Sequence, residues 1–124
     1  MFLYRGGDVS WAPSVDIYED STGWIVFVEL AGLSREDLDL TIYSTCVVIR
    51  GIKVPPIRDL LAHKLEMYTG GFQREITLPG KIDVNRATAS MERGLLRIDL
   101  PARERSSVRI SVEPGYQRNH KEPE

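Results

Sequence analysis

Apolar and polar residues alternate along most of this chain, and the period is two. Val15 and Ile17 alternate with Asp16 and Tyr18, and Leu38, Leu40 and Ile42 with Asp39, Thr41 and Tyr43. Ala87, Ala89 and Met91 alternate with Thr88, Ser90 and Glu92, and Leu96, Ile98 and Leu100 with Leu95, Arg97 and Asp99. Successive side chains of a strand point to opposite faces, so each run predicts a half-buried strand. The stretch 24–30 is rich in β-branched and aromatic residues and apolar on both faces, which predicts a strand lying between two layers. Cys46 to Gly51 predicts a strand with Val47 and Ile49 inward. The stretch 70–79 predicts another, with Phe72, Ile76 and Leu78 sharing a face with Arg74.

The breaks between these runs carry turn chemistry. Glu19-Asp20-Ser21-Thr22-Gly23 and Ser44-Thr45 read as turns. Ser34, followed by Glu36 and Asp37, predicts an N-cap and one turn of helix. Glu92-Arg93-Gly94 predicts a tight hairpin connection with Gly94 at positive φ. Pro101 has no N–H to donate and is expected to stop the last strand's pairing. About seven short strands with almost no helix predict an all-β, immunoglobulin-like antiparallel β-sandwich. The expected plan is a short arm over 1–13, the sandwich over 14–101 and a C-terminal extension over 102–124.

Three segments stand outside the alternation. The arm carries Phe2, Leu3, Tyr4 and Trp11 around a flexible Gly6-Gly7; these apolar residues either dock on another molecule or pad the domain's own core. In the stretch 52–66, Pro55-Pro56 breaks any strand, and Ile57, Leu60, Leu61 and Leu65 follow at roughly helical spacing. It is too apolar for a disordered linker, so its apolar side is expected on another subunit, the alternative being a short helix capping its own domain. In the polar tail, Val108, Ile110 and Val112 alternate with Arg109 and Ser111, a strand without a sheet of its own. Such a segment adds to an exposed sheet edge, or else packs on its own subunit as a final strand. The best receiving groove lies between the stretch 38–43 and the stretch 87–91, lined by Leu38, Leu40, Ile42, Ala87, Ala89 and Met91.

Composition narrows the functions. With 16 basic and 18 acidic residues and a net charge of −2, the chain has no basic stripe for a phosphate backbone, so nucleic acid is not expected as a partner. The longest wholly apolar run, Trp24 to Val28, is far short of a membrane span, and residues 1–13 lack the features of a signal peptide. Cys46 is the single cysteine, which fits a reducing compartment; a cytoplasmic protein without membrane contact is expected. Catalysis needs a constellation, and none is visible. His63 and His120 lack ligand-spaced neighbours, and Cys46 reads as a small apolar filler. Gly6-Gly7 and Gly70-Gly71 lack the Lys and Ser/Thr of a phosphate loop, so no catalytic residue, cofactor or metal is expected.

Several segments, in order, resemble the small heat-shock protein family and its alpha-crystallin domain. They are Trp11-Ala12-Pro13 leading into Val15-Asp16-Ile17-Tyr18-Glu19; Val28-Glu29-Leu30-Ala31-Gly32-Leu33 before Glu36-Asp37-Leu38; and Val47-Val48-Ile49-Arg50-Gly51. Gly70-Gly71-Phe72-Gln73-Arg74-Glu75-Ile76-Thr77-Leu78-Pro79, the Gly94-Leu95-Leu96 hairpin and the Ile110-Ser111-Val112 tail motif complete the set. The resemblance implies an alpha-crystallin sandwich that dimerises, often by exchanging a loop strand, here within 52–66, with Ile57, Leu60 and Leu61 at the interface. It implies that Arg74 lies near that interface and that Ile110 and Val112 dock into a neighbouring dimer's groove. It implies an ATP-independent holdase that binds partly unfolded clients through an arm containing Phe2, Leu3, Tyr4 and Trp11, and that assembles with itself. The arm is shorter than the family norm, Pro55-Pro56 stands where charged residues are common, and Ala87 is small where a larger aliphatic is common. A different expectation is a CS-domain-like co-chaperone or adaptor: monomeric, bound to one defined partner, and without need of the tail motif.

Overall fold

The computed structural model describes residues 9–104 and 108–116, with the backbone alone for Val9 and Ser10. Among the described residues, eight strands form two four-stranded sheets. In chain order they are β1 (Val9–Trp11), β2 (Val15–Glu19), β3 (Gly23–Glu29), β4 (Leu38–Ile42), β5 (Cys46–Lys53), β6 (Gly70–Thr77), β7 (Thr88–Glu92) and β8 (Leu95–Pro101). One sheet has the order β1-β6-β5-β4 and the other β2-β3-β8-β7. Every pairing is antiparallel except β1 with β6, which is parallel. The β-sandwich expected from the alternation is the fold. Residues 9–11, within the stretch read as an arm, add a fourth strand to one sheet.

Each sheet turns its period-two apolar set inward. Val26, Val28, Ile98 and Leu100 from one sheet meet Val47, Ile49 and Phe72 from the other, all 0–1% exposed. Register explains the match: Val26 lies opposite Ile98, and Gly51 opposite Phe72. The strand expected between two layers, β3, is covered on one face only. Trp24, Val26 and Val28 are buried, whereas Ile25 and Phe27 face outward and are half-buried. Neighbouring strands supply their partial cover: the Tyr18 ring sits edge-on to Phe27 at 6.0 Å, and the Arg97 guanidinium lies 5.8 Å from the Phe27 centroid.

The hairpin joining β7 to β8 is the expected one, with one residue more in the left-handed region. Arg93 has φ 54° and Gly94 φ 77°. Two central residues at positive φ define the turn whose twist suits a two-residue hairpin. The Gly94 carbonyl accepts from the Leu30 N–H at 2.7 Å, and a side chain there would press on the Ala31 Cα. Ser34 caps a single 3-10 turn, Arg35–Asp37, with reciprocal bonds to Asp37, as the one-turn helix reading expects.

One more expectation is corrected, and one alternative is not realised. Pro101 does not stop the pairing: it lies opposite Gly23, its carbonyl accepts from the Asp83 N–H, and the next N–H, of Ala102, donates to Thr22. Proline lacks a donor but keeps its acceptor, and at a strand terminus the missing donor has no ladder partner to lose. The spacing of Ile57, Leu60, Leu61 and Leu65 does not produce a helix; the chain between β5 and β6 is irregular and exposed. The run is shorter than the ~12–15 residues an isolated helix needs, and no surface of its own subunit lies beneath it.

The turn before β3 gives a test of local electrostatics. Asp20 accepts from the Thr22 hydroxyl, the Thr22 N–H and the Gly23 N–H at 2.7–3.0 Å. These bonds favour the carboxylate and hold its pKa below the ordinary value of 3.8. A depressed folded-state pKa contributes stability that is present above the unfolded value and lost as pH falls through the folded one. Asp20→Ala is therefore expected to lower the thermal midpoint at pH 7, with the difference shrinking as the pH falls below the ordinary carboxylate value and through the lowered folded one. A deficit that persists unchanged in acid would assign the role of Asp20 to something other than its charge.

Candidate functional site

The two lateral seams of the sandwich differ. On one side the chain passes directly from β1 in one sheet to β2 in the other through Ala12-Pro13-Ser14. Pro13 is fully buried in this crossing, and its carbonyl accepts from the Arg74 Nη1 at 3.2 Å. On the other side, β4 and β7 are the last strands of their sheets. Between them lies a cavity of about 200 Å³ lined by Arg35, Leu38, Leu40, Ile49, Ala89, Ser90, Met91 and Leu96. An end strand presents unpaired backbone donors and acceptors along its free side. The seam therefore combines apolar pockets with a backbone edge able to receive one more strand.

Of the six groove residues expected from the sequence, Leu38, Leu40, Ala89 and Met91 line this cavity. Ile42 and Ala87 do not; they pack against the core beyond its end. At that end the Ile82 N–H bonds to the Ser44 carbonyl. Ile49, Leu96 and Arg35 were missed. Ile49 lies opposite Leu40 and Leu96 opposite Met91, so pairing the expected strands would have found the first two. Arg35 sits in the capped 3-10 turn, outside the alternating runs, so no period marks it as a groove residue.

The tail motif belongs to neither sheet. Residues 108–116 form no strand, so the alternative in which Val108 to Val112 closes its own subunit's sheet is not realised. Ile110 is 79% and Val112 95% exposed.

The loop side carries a second apolar surface. Ile57, Leu60 and Leu61 are exposed, Leu61 by 86%, as are Leu65, Met67 and Tyr68. Arg74 of β6, opposite Ile49 of β5, is exposed, and Ile17, on the core-facing side of end strand β2, is 47% exposed. Trp11, expected in a docking arm, is instead half-buried. Its ring is tilted on Phe72 at 4.8 Å and stacked on Tyr68 at 6.3 Å, and its Nε1 donates to the Gly70 carbonyl. It thereby fastens the loop end nearest β6, with the Lys53 ammonium 6.0 Å from its ring at the other end. Phe2, Leu3, Tyr4 and His120 lie outside the described residues.

A larger cleft of about 640 Å³ at one end of the sandwich is rimmed by Glu19, Lys81, Arg103 and Glu104 around Trp24. Its charges are mixed in sign, and the indole N–H of Trp24 is bound to Glu19 at 2.8 Å, so it offers no convergent chemistry. Burial and the neighbouring Glu75 push the Cys46 thiol above its ordinary pKa, away from the reactive thiolate. Among the described residues no group of three His, Cys, Asp or Glu could hold a metal, and no helix is long and apolar enough to cross a membrane.

These features define an eight-stranded β-sandwich with one seam closed by a crossover and the other open as an apolar groove. Residues 16–113 match the Hsp20/alpha crystallin family. Small heat shock protein C2 of Rickettsia felis is 34% identical over 99 residues, covering 78% of this chain and 64% of that relative. Heat shock protein 16 of Schizosaccharomyces pombe is 32% identical over 105 residues, covering 82% and 73%. The solved structure of heat shock protein 16.0 from Schizosaccharomyces pombe superposes with a TM-score of 0.70 at 31% identity, over 86% of this chain and 100% of that one. A small heat-shock protein from Xylella fastidiosa gives 0.71 at 27% identity, over 83% and 97%. The chain belongs to the Hsp20/alpha crystallin family, and it spans less than two thirds of the length of its Rickettsia felis relatives.

Proposed function

We propose that this chain is an ATP-independent holdase of the cytoplasm, which assembles with itself and binds partly unfolded proteins before they aggregate. The observation that carries this reading is the coexistence, in one chain, of an open apolar groove and an exposed motif able to fill it. A cavity of about 200 Å³ is below the roughly 300–1,000 Å³ of sites for drug-sized molecules, and it suits two aliphatic side chains. Ile110 and Val112, two residues apart on an extended chain, would present them about 6.8 Å apart on one face.

The energetics favour a reversible assembly. Burying each side chain gains about 1.5–3 kcal/mol. Fixing the backbone of the tail costs about 1–2 kcal/mol per residue ordered, so a single docked tail is weak. Several tails in one closed assembly reinforce one another through effective concentration. On the other seam, Ile57, Leu60, Leu61 and Arg74 form the dimer contact, with the loop laid against Ile17 and the free edge of β2 in the partner. Phe2, Leu3 and Tyr4 contribute to client binding. Unfolded polypeptide competes for the apolar surface, without sequence specificity, because burial is non-directional. The Xylella fastidiosa relative is described as having a distinct high order structure, which supports self-assembly as the mode of action here.

The test is light scattering from a heat-denatured model client, with and without an equimolar amount of this protein and no nucleotide. Suppression of scattering is expected; unchanged scattering at that ratio overturns the reading. The adaptor alternative has no observation in its favour: it has no use for an exposed Ile-Ser-Val motif together with an open apolar groove.

A further inference from the structure

Arg35 is the one charged residue among the eight that line the groove. Among the described residues it closes no ion pair, although its charge helps to lower the pKa of its chain neighbour Glu36. The motif that would fill the groove is itself charge-asymmetric. Arg109 precedes Ile110, and Glu113 follows Val112. We infer that Arg35 sets the direction of the docked tail, pairing with Glu113 of a second copy so that the tail runs antiparallel to β4 and parallel to β7. This rests on the docking proposed above and goes beyond it, because an apolar pocket pair spaced for residues i and i+2 accepts a strand in either direction.

The placement follows from the fold. Arg35 lies in the 3-10 turn just before β4, so it stands at the Leu38 end of the groove. The hairpin tip lies at the same end: the Leu30 N–H bonds to Gly94, and Met91 pairs with Leu96 immediately beside that turn. A tail whose Val112 fills the pocket near Leu38 and Met91 brings Glu113 to the same end of the groove, its side chain turned off the apolar floor toward the exposed rim where Arg35 stands. Reversed, it carries Arg109 there instead, cation against cation.

The neighbouring charges do not cancel this. Glu36 has its pKa lowered chiefly by its own N–H and by Ser34 and only weakly by the Arg35 charge, so it competes little for the guanidinium. Glu92 lines a separate cleft on the outer face with Phe27, Arg93 and Arg97. Arg86 is three residues before Ala89, beyond Ala87, and does not line the groove. An extended chain puts it about 10 Å away, roughly a Debye length at 0.1 M salt.

The experiment uses the full chain carrying Ile110→Ala and Val112→Ala, so that its own motif is silent. The probe is an acetylated and amidated peptide of residues 108–116, followed by fluorescence anisotropy. Adding Arg35→Gln to the host is expected to weaken binding about threefold and Arg35→Glu roughly tenfold, the range of a partly exposed pair and its reversal. A Glu113→Arg peptide should bind the Arg35 host poorly and the Arg35→Glu host well, and Arg35→Lys should retain most of the affinity. These differences should shrink in 1 M salt, where the Debye length is about 3 Å. A nitroxide at peptide position 116 should broaden the Leu38 and Met91 methyl signals more than Ile42; one at position 108 should do the reverse.

If the peptide fails to bind even the Arg35 host, the docking reading itself falls. If it binds but neither the charge exchange nor the nitroxide position matters, docking stands and Arg35 has no part in its direction. Far-UV circular dichroism of each host confirms that a weak binder is folded.

Discussion

Replacing Ile110 and Val112 together by alanine is expected to collapse the assembly to a small species, without lowering the thermal stability of the sandwich. Both halves follow from exposure. At 79% and 95% exposed, the two side chains contribute almost nothing to the fold of the subunit that carries them. If they fill a neighbour's groove, truncation removes most of about 1.5–3 kcal/mol per side chain from every tail contact. Effective concentration then works in reverse: when each contact weakens by a factor of ten or more, closure of the assembly fails cooperatively. Mass in solution, by light scattering coupled to size exclusion, is the measurement, with a thermal melt on the same sample. An unchanged mass would remove the tail from assembly and with it the main support for the proposed function. A smaller mass with an unchanged midpoint is the expected pair. The species that remains should be held by the other seam, so Leu60→Ser with Leu61→Ser in the same background tests that contact separately.

The open groove and the free motif were both visible in the sequence, for a physical reason. Period-two alternation in 38–42, 88–92 and 95–101 fixes which side chains face inward, because a one-residue slip would expose the whole apolar set. The facing of Leu38, Leu40, Ala89 and Met91 was therefore determined before any contact was known. How far along the strands the cavity reaches was not, because alternation fixes a face but not the length of a pocket: Ile42 and Ala87 pack against the core without lining it. Strand β1 was illegible for another reason. Its three residues are too few to show a period, and its parallel register with β6 brings Trp11 beside Phe72, far along the chain. The stretch 57–65 left two readings open because spacing alone cannot show whether a surface waits beneath an apolar face. In this subunit none does.

Gly51→Ala is expected to be among the most damaging single-methyl changes to the sandwich, and to damage the groove in the same stroke. Gly51 is buried in β5, opposite Leu38 on one side and Phe72 on the other. A Cβ there would overlap the Phe72 ring and stand 2.6 Å from the Asp37 carbonyl oxygen. Neither neighbour yields easily. Phe72 is fully buried and wedged under Trp11, and the Asp37 carbonyl is backbone of the capped turn that leads into β4. Overpacking costs typically about 1–3 kcal/mol, and a backbone obstacle places this site at the upper end. For a domain of this size that corresponds to a fall in Tm of roughly 10–20 °C. The same strain pushes the turn and β4 outward, displacing Arg35 and Leu38 from β7, so affinity for the tail peptide should fall along with stability. Adding Phe72→Leu relieves the ring contact but not the carbonyl one, so it should recover only part of the Tm. A Tm within about 3 °C of the parent would show that β4 has slack this packing denies it, and that the groove is not held at a fixed width by the strand behind it.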